Sequence, residues 1–163
     1  AIRSMEFLHN ARLWIVGGGD VIDSLRNRVK ELGLDEQVKF IGRVPIEKLW
    51  DYTARADLGL SLEEDLGLNY RYALPNKLFD YVQARIPVIV SDLPEMASLV
   101  KRYGIGEVLT ERTPQKLAEL AVKLLEQRKS NEGKDAKIEL AARELCWERE
   151  EDKLIRLFKK VSS

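Results

Sequence analysis

Lys77 and Asp80 lie about one helical turn apart in a segment whose pattern suits a nucleotide. Residues 69–85 read as a loop that becomes a helix, and the apolar run 86–90 reads as a buried strand. The free N–H groups and positive dipole of a helix start suit a phosphate, and a nearby carboxylate suits the hydroxyls of a ribose. The segment therefore predicts a nucleotide cradle, with a surface lysine and a solvated helical carboxylate as the alternatives.

Three consecutive glycines, at positions 17–19, follow the apolar run 13–16. We interpret this pattern as a strand and a tight loop. Glycine lets a ligand approach the backbone closely, so Gly17 and Gly18 are candidates for diphosphate contact. The alternative is a simple turn.

The glycine loop does not match the dinucleotide-binding fingerprint. Ile22 stands where the third glycine of G-x-G-x-x-G belongs, and Gly42-Arg43 stand where an acidic residue is expected after the second strand. We therefore do not expect the chain to bind NAD. Arg43 can stack on a ring or donate to one, although an exposed arginine without a ligand explains it equally well.

The sequence shows no catalytic constellation. Glu63, Glu64 and Asp65 could meet a sugar, but a charge run on a loop is usually only solvated. With one His and one Cys, His9 and Cys146, the chain gives little support to a zinc site or to a paired nucleophile and base. We expect no metal site and no cofactor.

Composition limits the class of protein further. The chain has 163 residues, which suits one domain with a proper core. Its 27 basic and 27 acidic side chains cancel, whereas a general nucleic-acid binder carries a basic excess. No apolar run approaches the roughly 20 residues of a membrane span.

Apolar runs alternate with helical patterns along the chain. Five strands are predicted, at 13–16, 37–41, 58–62, 86–90 and 107–109. Such alternation with short loops predicts an α/β fold, a Rossmann-like and mostly parallel sheet with helices on both faces. Ligands of such sheets bind at the carboxyl ends of the strands, where the four loops 17–20, 42–44, 63–76 and 91–94 should meet.

Local signals also predict where helices begin and end. Asp20, Asn76 and Thr113 are expected N-caps, Pro45 is expected at a first helical position, and Gly33 is expected as a helix stop. The three tryptophans at 14, 50 and 147 are interpreted as packing residues. A helical tail with an apolar stripe is expected within 132–163, as part of a single domain 1–163 that is truncated at its N-terminus.

Four stretches together resemble the C-terminal domain of the group 1 family of GT-B glycosyltransferases. They are "LWIVGGG", "LGLDEQVKFIGRVPIEKLWDYTARADLGLSL", "PNKLFDYVQARIPVIVSDLPEM" and "CWEREEDKLIRLFKKV". Each stretch alone is weak evidence, but the four together cover nearly the whole chain in the family's order.

The resemblance implies one half of a GT-B fold that binds a nucleotide-sugar such as a UDP- or GDP-sugar. Asp80 takes the place of the glutamate that binds ribose, Gly17 and Gly18 would lie close to the diphosphate, and Gly42-Arg43 would frame the base. The family transfers sugar with retention and without an obligatory metal. The implied partner is an N-terminal acceptor domain of the same polypeptide, and the implied location is the cytoplasm, with membrane contact only through that other domain.

The sequence departs from the family pattern at one signature position. The family has two glutamates eight positions apart, and Tyr72 stands eight positions before Asp80. The role of the first glutamate thus has no evident holder. The resemblance also places the start of the chain after the strand and loop that carry a phosphate-binding arginine and lysine in relatives. Because activity in the family needs the acceptor domain, we expect the isolated chain to be inactive.

Two other readings remain open. A GT-B-fold nucleotide-sugar epimerase would need acid–base carboxylates and histidines, and the chain has one histidine. A non-catalytic α/β partner-binding module, such as a receiver-like domain, would need an acidic pair after the first strand, where three glycines stand.

Overall fold

The computed structural model describes residues 1–131 and 135–161. Five short strands alternate with helices, as the sequence predicts. The strands are β1 (Leu13–Val16), β2 (Val38–Gly42), β3 (Gly59–Ser61), β4 (Val88–Ser91) and β5 (Gly106–Leu109). Their bounds lie within two residues of the predicted ones, because each apolar run is short and ends at a loop residue.

All strand pairs are parallel, which confirms the predicted class, but the strands form two hydrogen-bonded sheets instead of one. β1 pairs with β2, and β4 lies between β3 and β5. The register aligns Leu13 with Val38 in the first sheet, and Val88 with both Gly59 and Gly106 in the second. A strand that is hydrogen-bonded on both sides is therefore found only at β4 among the described residues.

Helices follow the strands and form the chain's C-terminal part. After the N-terminal 3₁₀ helix Ile2–Phe7 come α1 (Ile22–Glu31), α2 (Ile46–Thr53), α3 (Leu68–Arg71), α4 (Asn76–Gln83), α5 (Pro94–Tyr103), α6 (Pro114–Ser130), α7 (Ala136–Glu144) and α8 (Trp147–Val161). The short helix α3 was not predicted, because the loop that contains it has no helical repeat of apolar residues.

Two of the predicted helix boundaries are confirmed. The Thr113 hydroxyl accepts a hydrogen bond from the Lys116 N–H at 3.2 Å and so caps α6. Gly33 follows α1 with φ of +64°, the left-handed conformation that ends a helix.

The other three helix-start predictions are wrong. α1 begins after Val21, and Asp20 makes no capping bond. Asn76 is the first residue inside α4, after Pro75 at the N-cap, and Pro45 is itself the N-cap of α2. In the last two cases the proline, with its fixed φ, holds the extended conformation that precedes the helix.

Two buried clusters lie on opposite faces of the strands, which confirms helices on both sides. One contains Ile89 of β4 and packs against the 3₁₀ helix, α1 and α6. The other contains Val88 and Val90 and packs against α4, α5 and α7. Side chains alternate between the faces of a strand, so β4 supplies both clusters and is wholly buried.

The predicted C-terminal tail consists of α7 and α8, and residues 132–134 lie outside the described residues. Among the apolar side chains of α8, Leu154, Leu157 and Phe158 are exposed. Trp50 and Trp147 are exposed as well, so their assignment as packing residues is wrong. No helix within residues 1–131 and 135–161 is long and apolar enough to cross a membrane.

Candidate functional site

Two glycines shape the carboxyl end of the first sheet. The Gly17 N–H donates to the Gly42 carbonyl at 2.8 Å, which joins the loops after β1 and β2. Gly17 has φ of +129° and Gly42 has φ of +81°, conformations that a side chain would strain. The glycines therefore set the path of both loops, with or without a ligand.

Gly18 and Arg43 lie in contact in these loops. A Cβ at Gly18 would lie 3.1 Å from Arg43 Nε and 3.2 Å from its Cγ. The aliphatic part of the Arg43 side chain thus lies over the backbone of Gly18, and Arg43 stays exposed. The structure brings together the four predicted residues of this edge, 17, 18, 42 and 43.

Glu63 is the centre of a second polar group, at the carboxyl end of β3. Lys77 Nζ lies 2.6 Å from Glu63 Oε1, and the buried Ser61 hydroxyl donates to Glu63 Oε2 at 2.8 Å. The Glu63 side chain is only 17% exposed, against 47% for Lys77. In the sequence, Glu63 stands out only as part of a charge run on a loop. The one feature that could have indicated its place in the site is its position directly after the predicted strand 58–62.

The surroundings of Glu63 favour its ionised form. Partial burial by itself raises the pKa of this carboxyl, but hydrogen bonds from Lys77, Ser61 and its own N–H, together with the lysine charge, outweigh burial. The pKa of Glu63 is therefore below its ordinary value. Glu63 and Lys77 form an ion pair at the start of α4.

Arg112 fixes the backbone on which Glu63 stands. Its Nη1 donates to the Glu63 carbonyl at 2.7 Å and to Ser91 Oγ at 3.0 Å, and its Nη2 donates to the Leu62 carbonyl at 3.2 Å. The Ser91 hydroxyl also donates to the Glu63 carbonyl, at 2.6 Å. Residues at the carboxyl ends of β3, β4 and β5 thus converge on one turn. The sequence predicted that loop 91–94 lies at this edge, but no local pattern indicated the role of Arg112.

Asp80 lies on α4, three residues after Lys77, so the two side chains share a face of the helix. Within the described residues its carboxylate has no hydrogen bond and no ion pair, although it is partly buried. Burial raises the pKa of Asp80 above its ordinary value. An uncompensated carboxylate of this kind can accept hydrogen bonds from a ligand's hydroxyl groups.

Tyr81 holds α4 against β3. Its ring lies over Gly59, where a Cβ would come within 2.4 Å of ring carbons, and its hydroxyl donates to the Leu60 carbonyl at 3.5 Å. Burial is the main reason that the pKa of Tyr81 is raised. Because Tyr81 follows Asp80 directly, this packing also fixes where Asp80 and Lys77 lie.

The loop between β3 and α4 is open to solvent. Arg71 Nη2 and Nε donate to Asp65 Oδ2 at 2.6 and 3.0 Å. Tyr72, which stands at the expected glutamate position, is 57% exposed at the end of α3. His9 lies before β1, at the opposite end of that strand from the glycine loop.

The predicted residues thus form two groups, one at each sheet. Gly17, Gly18, Gly42 and Arg43 meet after β1 and β2, and Lys77 and Asp80 lie together after β3, with Glu63 added by the structure. No hydrogen bond or ion pair between the groups is found in the described part of the chain. Both groups lie where parallel α/β sheets bind ligands.

The parallel strands, their helical layers and this edge define the chain as a Rossmann-like α/β domain, one half of a GT-B fold. Residues 1–144 match the family described as "Glycosyl transferases group 1". The chain belongs to this family of glycosyltransferases. A search of curated proteins found no match.

Solved structures share the fold at low sequence identity. Sucrose-phosphate synthase from Thermosynechococcus elongatus has a TM-score of 0.78 and 19% identity over 98% of this chain and 41% of its own. WaaB, a lipopolysaccharide outer core galactosyltransferase in its apo form, has a TM-score of 0.67 and 17% identity over 97% of this chain and 44% of its own. WaaG, a glycosyltransferase involved in lipopolysaccharide biosynthesis, has a TM-score of 0.62 and 22% identity over 88% of this chain and 36% of its own. This chain thus spans less than half the length of each.

Proposed function

We propose that this chain is the donor-binding domain of a retaining glycosyltransferase that uses a UDP- or GDP-sugar. The observation that carries the proposal is Asp80, a partly buried carboxylate one helical turn from Lys77 that has no hydrogen-bond or ion-pair partner among the residues that the structure describes. Burying an unpaired carboxylate disfavours its charged form, so such a residue is better explained by a ligand than by stability. A ribose supplies the missing donors, because its two neighbouring hydroxyls can both bond one carboxylate.

The other residues have corresponding proposed roles. Gly17 and Gly18 present backbone without side chains to the diphosphate, and Gly42 and Arg43 frame the base. Lys77 contacts a phosphate from the start of α4, where the helix dipole favours negative charge. As the resemblance to the family implies, the proposed transfer needs no obligatory metal.

Glu63 is our proposed holder of the role that the sequence left without a residue, near the sugar or its phosphate. It lies 2.6 Å from Lys77, whereas Tyr72 is exposed on the loop. A bound phosphate would compete with Glu63 for Lys77. Glu63 would then keep its bond from Ser61 and face the donor.

The remaining parts of the proposal concern the whole enzyme. Transfer of the sugar, of hexosyltransferase type, needs an N-terminal acceptor domain of the same polypeptide, so the isolated chain binds donor without turnover. We propose that the enzyme works in glycan biosynthesis in the cytoplasm.

The test is calorimetric titration of the chain with UDP, GDP and ADP at pH 7. We expect saturable binding of UDP or GDP that Asp80→Asn weakens at least tenfold. The matched control is Asp35→Asn, an exposed aspartate in the turn before β2 and so at the opposite end of the strands. Binding by neither nucleotide, or equal losses in both variants, would contradict the proposal.

Stability provides a second readout for Asp80. Its raised pKa means that the ionised form destabilises the folded state above that pKa, and that this effect vanishes as the pH falls below the unfolded value. Asp80→Asn should therefore leave the chain at least as stable as the parent at pH 7. A variant that loses both binding and stability would indicate a structural role instead.

A further inference from the structure

The guanidinium of Arg112 lies where three parallel strands end. Arg112 stands in the loop after β5, and its Nη1 donates to the hydroxyl of Ser91, the last residue of β4, at 3.0 Å. Nη1 and Nη2 also donate to the carbonyls of Glu63 and Leu62, which follow β3, at 2.7 and 3.2 Å. The planar fork of an arginine can bond several acceptors at once. One side chain therefore joins the ends of β3, β4 and β5.

The carboxylate of Glu63 is held by a different set of groups. Ser61 and Glu63 are two residues apart where the chain leaves β3, a spacing that places both side chains on one side of an extended segment. The Ser61 hydroxyl donates to Glu63 Oε2 at 2.8 Å, and Lys77 Nζ lies 2.6 Å from Glu63 Oε1. Arg112 thus holds the main chain of Glu63, whereas Ser61 and Lys77 hold its side chain.

The turn that carries Glu63 has no regular secondary structure. Residues 62–66 lie between β3 and α3 and belong to neither a strand nor a helix. The Leu62 carbonyl bonds Arg112, and the Glu63 carbonyl bonds both Arg112 and Ser91. Side-chain donors from distant parts of the chain therefore fix the main chain at the point where it leaves the sheet.

We propose that Arg112 is a positioning residue for the Glu63 carboxylate. By binding two successive carbonyls, Arg112 sets where the side chain of Glu63 meets Lys77 and Ser61. It acts through Glu63 and has no need to contact a donor itself. The importance of this role for donor binding rests on the proposed function, in which Glu63 faces the donor.

The geometry of Arg112 matters more for this role than its charge. The groups that lower the pKa of Glu63 are Lys77, Ser61 and the N–H of Glu63 itself, together with the lysine charge, and the Arg112 charge is not among them. A lysine at position 112 would keep the charge but would carry it on one nitrogen at the end of a flexible stem. We therefore expect that lysine cannot replace Arg112.

The first test is an NMR titration of the side-chain carboxyl groups, without nucleotide. Arg112→Gln should raise the pKa of Glu63 toward its ordinary value, because the hydrogen bonds that favour the carboxylate weaken when the turn moves. Glu139 is an internal control in the same spectra, since hydrogen bonds from two arginines lower its pKa on α7. The pKa of Glu139 should stay as in the parent. A general loosening of the fold would raise both values.

Two further variants make this test specific. Arg112→Lys should raise the pKa of Glu63 as Arg112→Gln does, and it also serves if Arg112→Gln does not fold. Arg128→Gln is the matched control, because Arg128 donates to the Arg85 carbonyl at 2.8 Å, ahead of β4 and so at the opposite end of the strands. It should leave the pKa of Glu63 unchanged.

Three outcomes of the titration would overturn the inference. They are an unchanged pKa of Glu63 in Arg112→Gln, an equal rise for Glu139, and a parental pKa of Glu63 in Arg112→Lys. The last outcome would mean that a positive charge suffices at position 112.

A double-mutant cycle then connects this role to donor binding. Arg112→Gln should change the dissociation constant of UDP or GDP at least about threefold in the parent, but less than about 1.5-fold in a Glu63→Ala background, because a positioning residue acts only through the group that it positions. Equal changes in both backgrounds would overturn the inference. Binding of neither nucleotide by the parent would contradict the proposed function, whereas the titration would still decide the role of Arg112.

Discussion

The packing of Tyr81 on Gly59 gives a quantitative prediction about how α4 is positioned. In Gly59→Ala, the new Cβ would lie 2.4 Å from ring carbons, whereas ordinary contact begins near 3.4 Å. The ring must therefore move by about 1 Å, and overpacking of this kind costs about 1–3 kcal/mol. Alanine in a strand recovers about 0.5–1 kcal/mol relative to glycine. Subtracting the second range from the first gives a net loss of up to roughly 2.5 kcal/mol.

Urea unfolding of the parent and variant measures this loss, and thermal unfolding should show a fall in Tm of up to roughly 10 °C for a domain of this size. Gly19→Ala is the matched control, because nothing lies within 4 Å of its Cβ and its φ is not positive. Its stability should stay within about 0.5 kcal/mol of the parent.

A double-mutant cycle then isolates the clash. In a Tyr81→Leu background, the smaller side chain should reduce the cost of Gly59→Ala by more than about 0.5 kcal/mol. If Gly59→Ala costs no more than Gly19→Ala, or costs the same with and without the ring, the contact between Tyr81 and Gly59 does not set the position of α4.

Two other predictions use the same unfolding assay. In Gly106→Ala the Cβ would lie 1.9 Å from the Val88 carbonyl oxygen. Because the backbone cannot rotate away as a ring can, the loss in the free energy of unfolding should exceed about 3 kcal/mol. A smaller loss than that of Gly59→Ala would contradict this ranking. The lowered pKa of Glu63 means that its ionised form stabilises the fold above the unfolded pKa and that this contribution is lost as the pH falls through the lower folded value. The stability difference between the parent and Glu63→Gln should thus be largest near pH 7 and shrink below about pH 4, whereas a constant difference would refute the ion pair as its cause.

Local sequence signals predicted the elements well where a short stretch decides the outcome. The apolar run 13–16 is β1 with the predicted bounds, and Thr113 caps α6 as expected. Leu117 and Leu124 lie about two helical turns apart and so share one face of α6, and both are buried. In each case the deciding interactions lie within one strand or one helical turn.

Helix starts were less predictable where two local signals compete. Asn76 and Asp20 both have side chains that can cap a helix. Pro75 nevertheless occupies the N-cap position of α4, and Val21 occupies that of α1. The site roles of Asp80, Lys77 and the glycine loops stay predictions, because the structure shows their positions and contacts without a donor.

By itself, the sequence determined the alternation of strands and helices, the glycines that shape two loops, and the placement of Lys77 and Asp80 on one helix face. Only the tertiary structure decided that Glu63 pairs with Lys77, that Arg112 fixes the turn of Glu63 from 49 residues away, and that the strands form two hydrogen-bonded sheets. The physical reason is range. Backbone propensity and side-chain spacing act over a few residues, whereas these contacts depend on how separate strands pack and leave no local pattern in the chain.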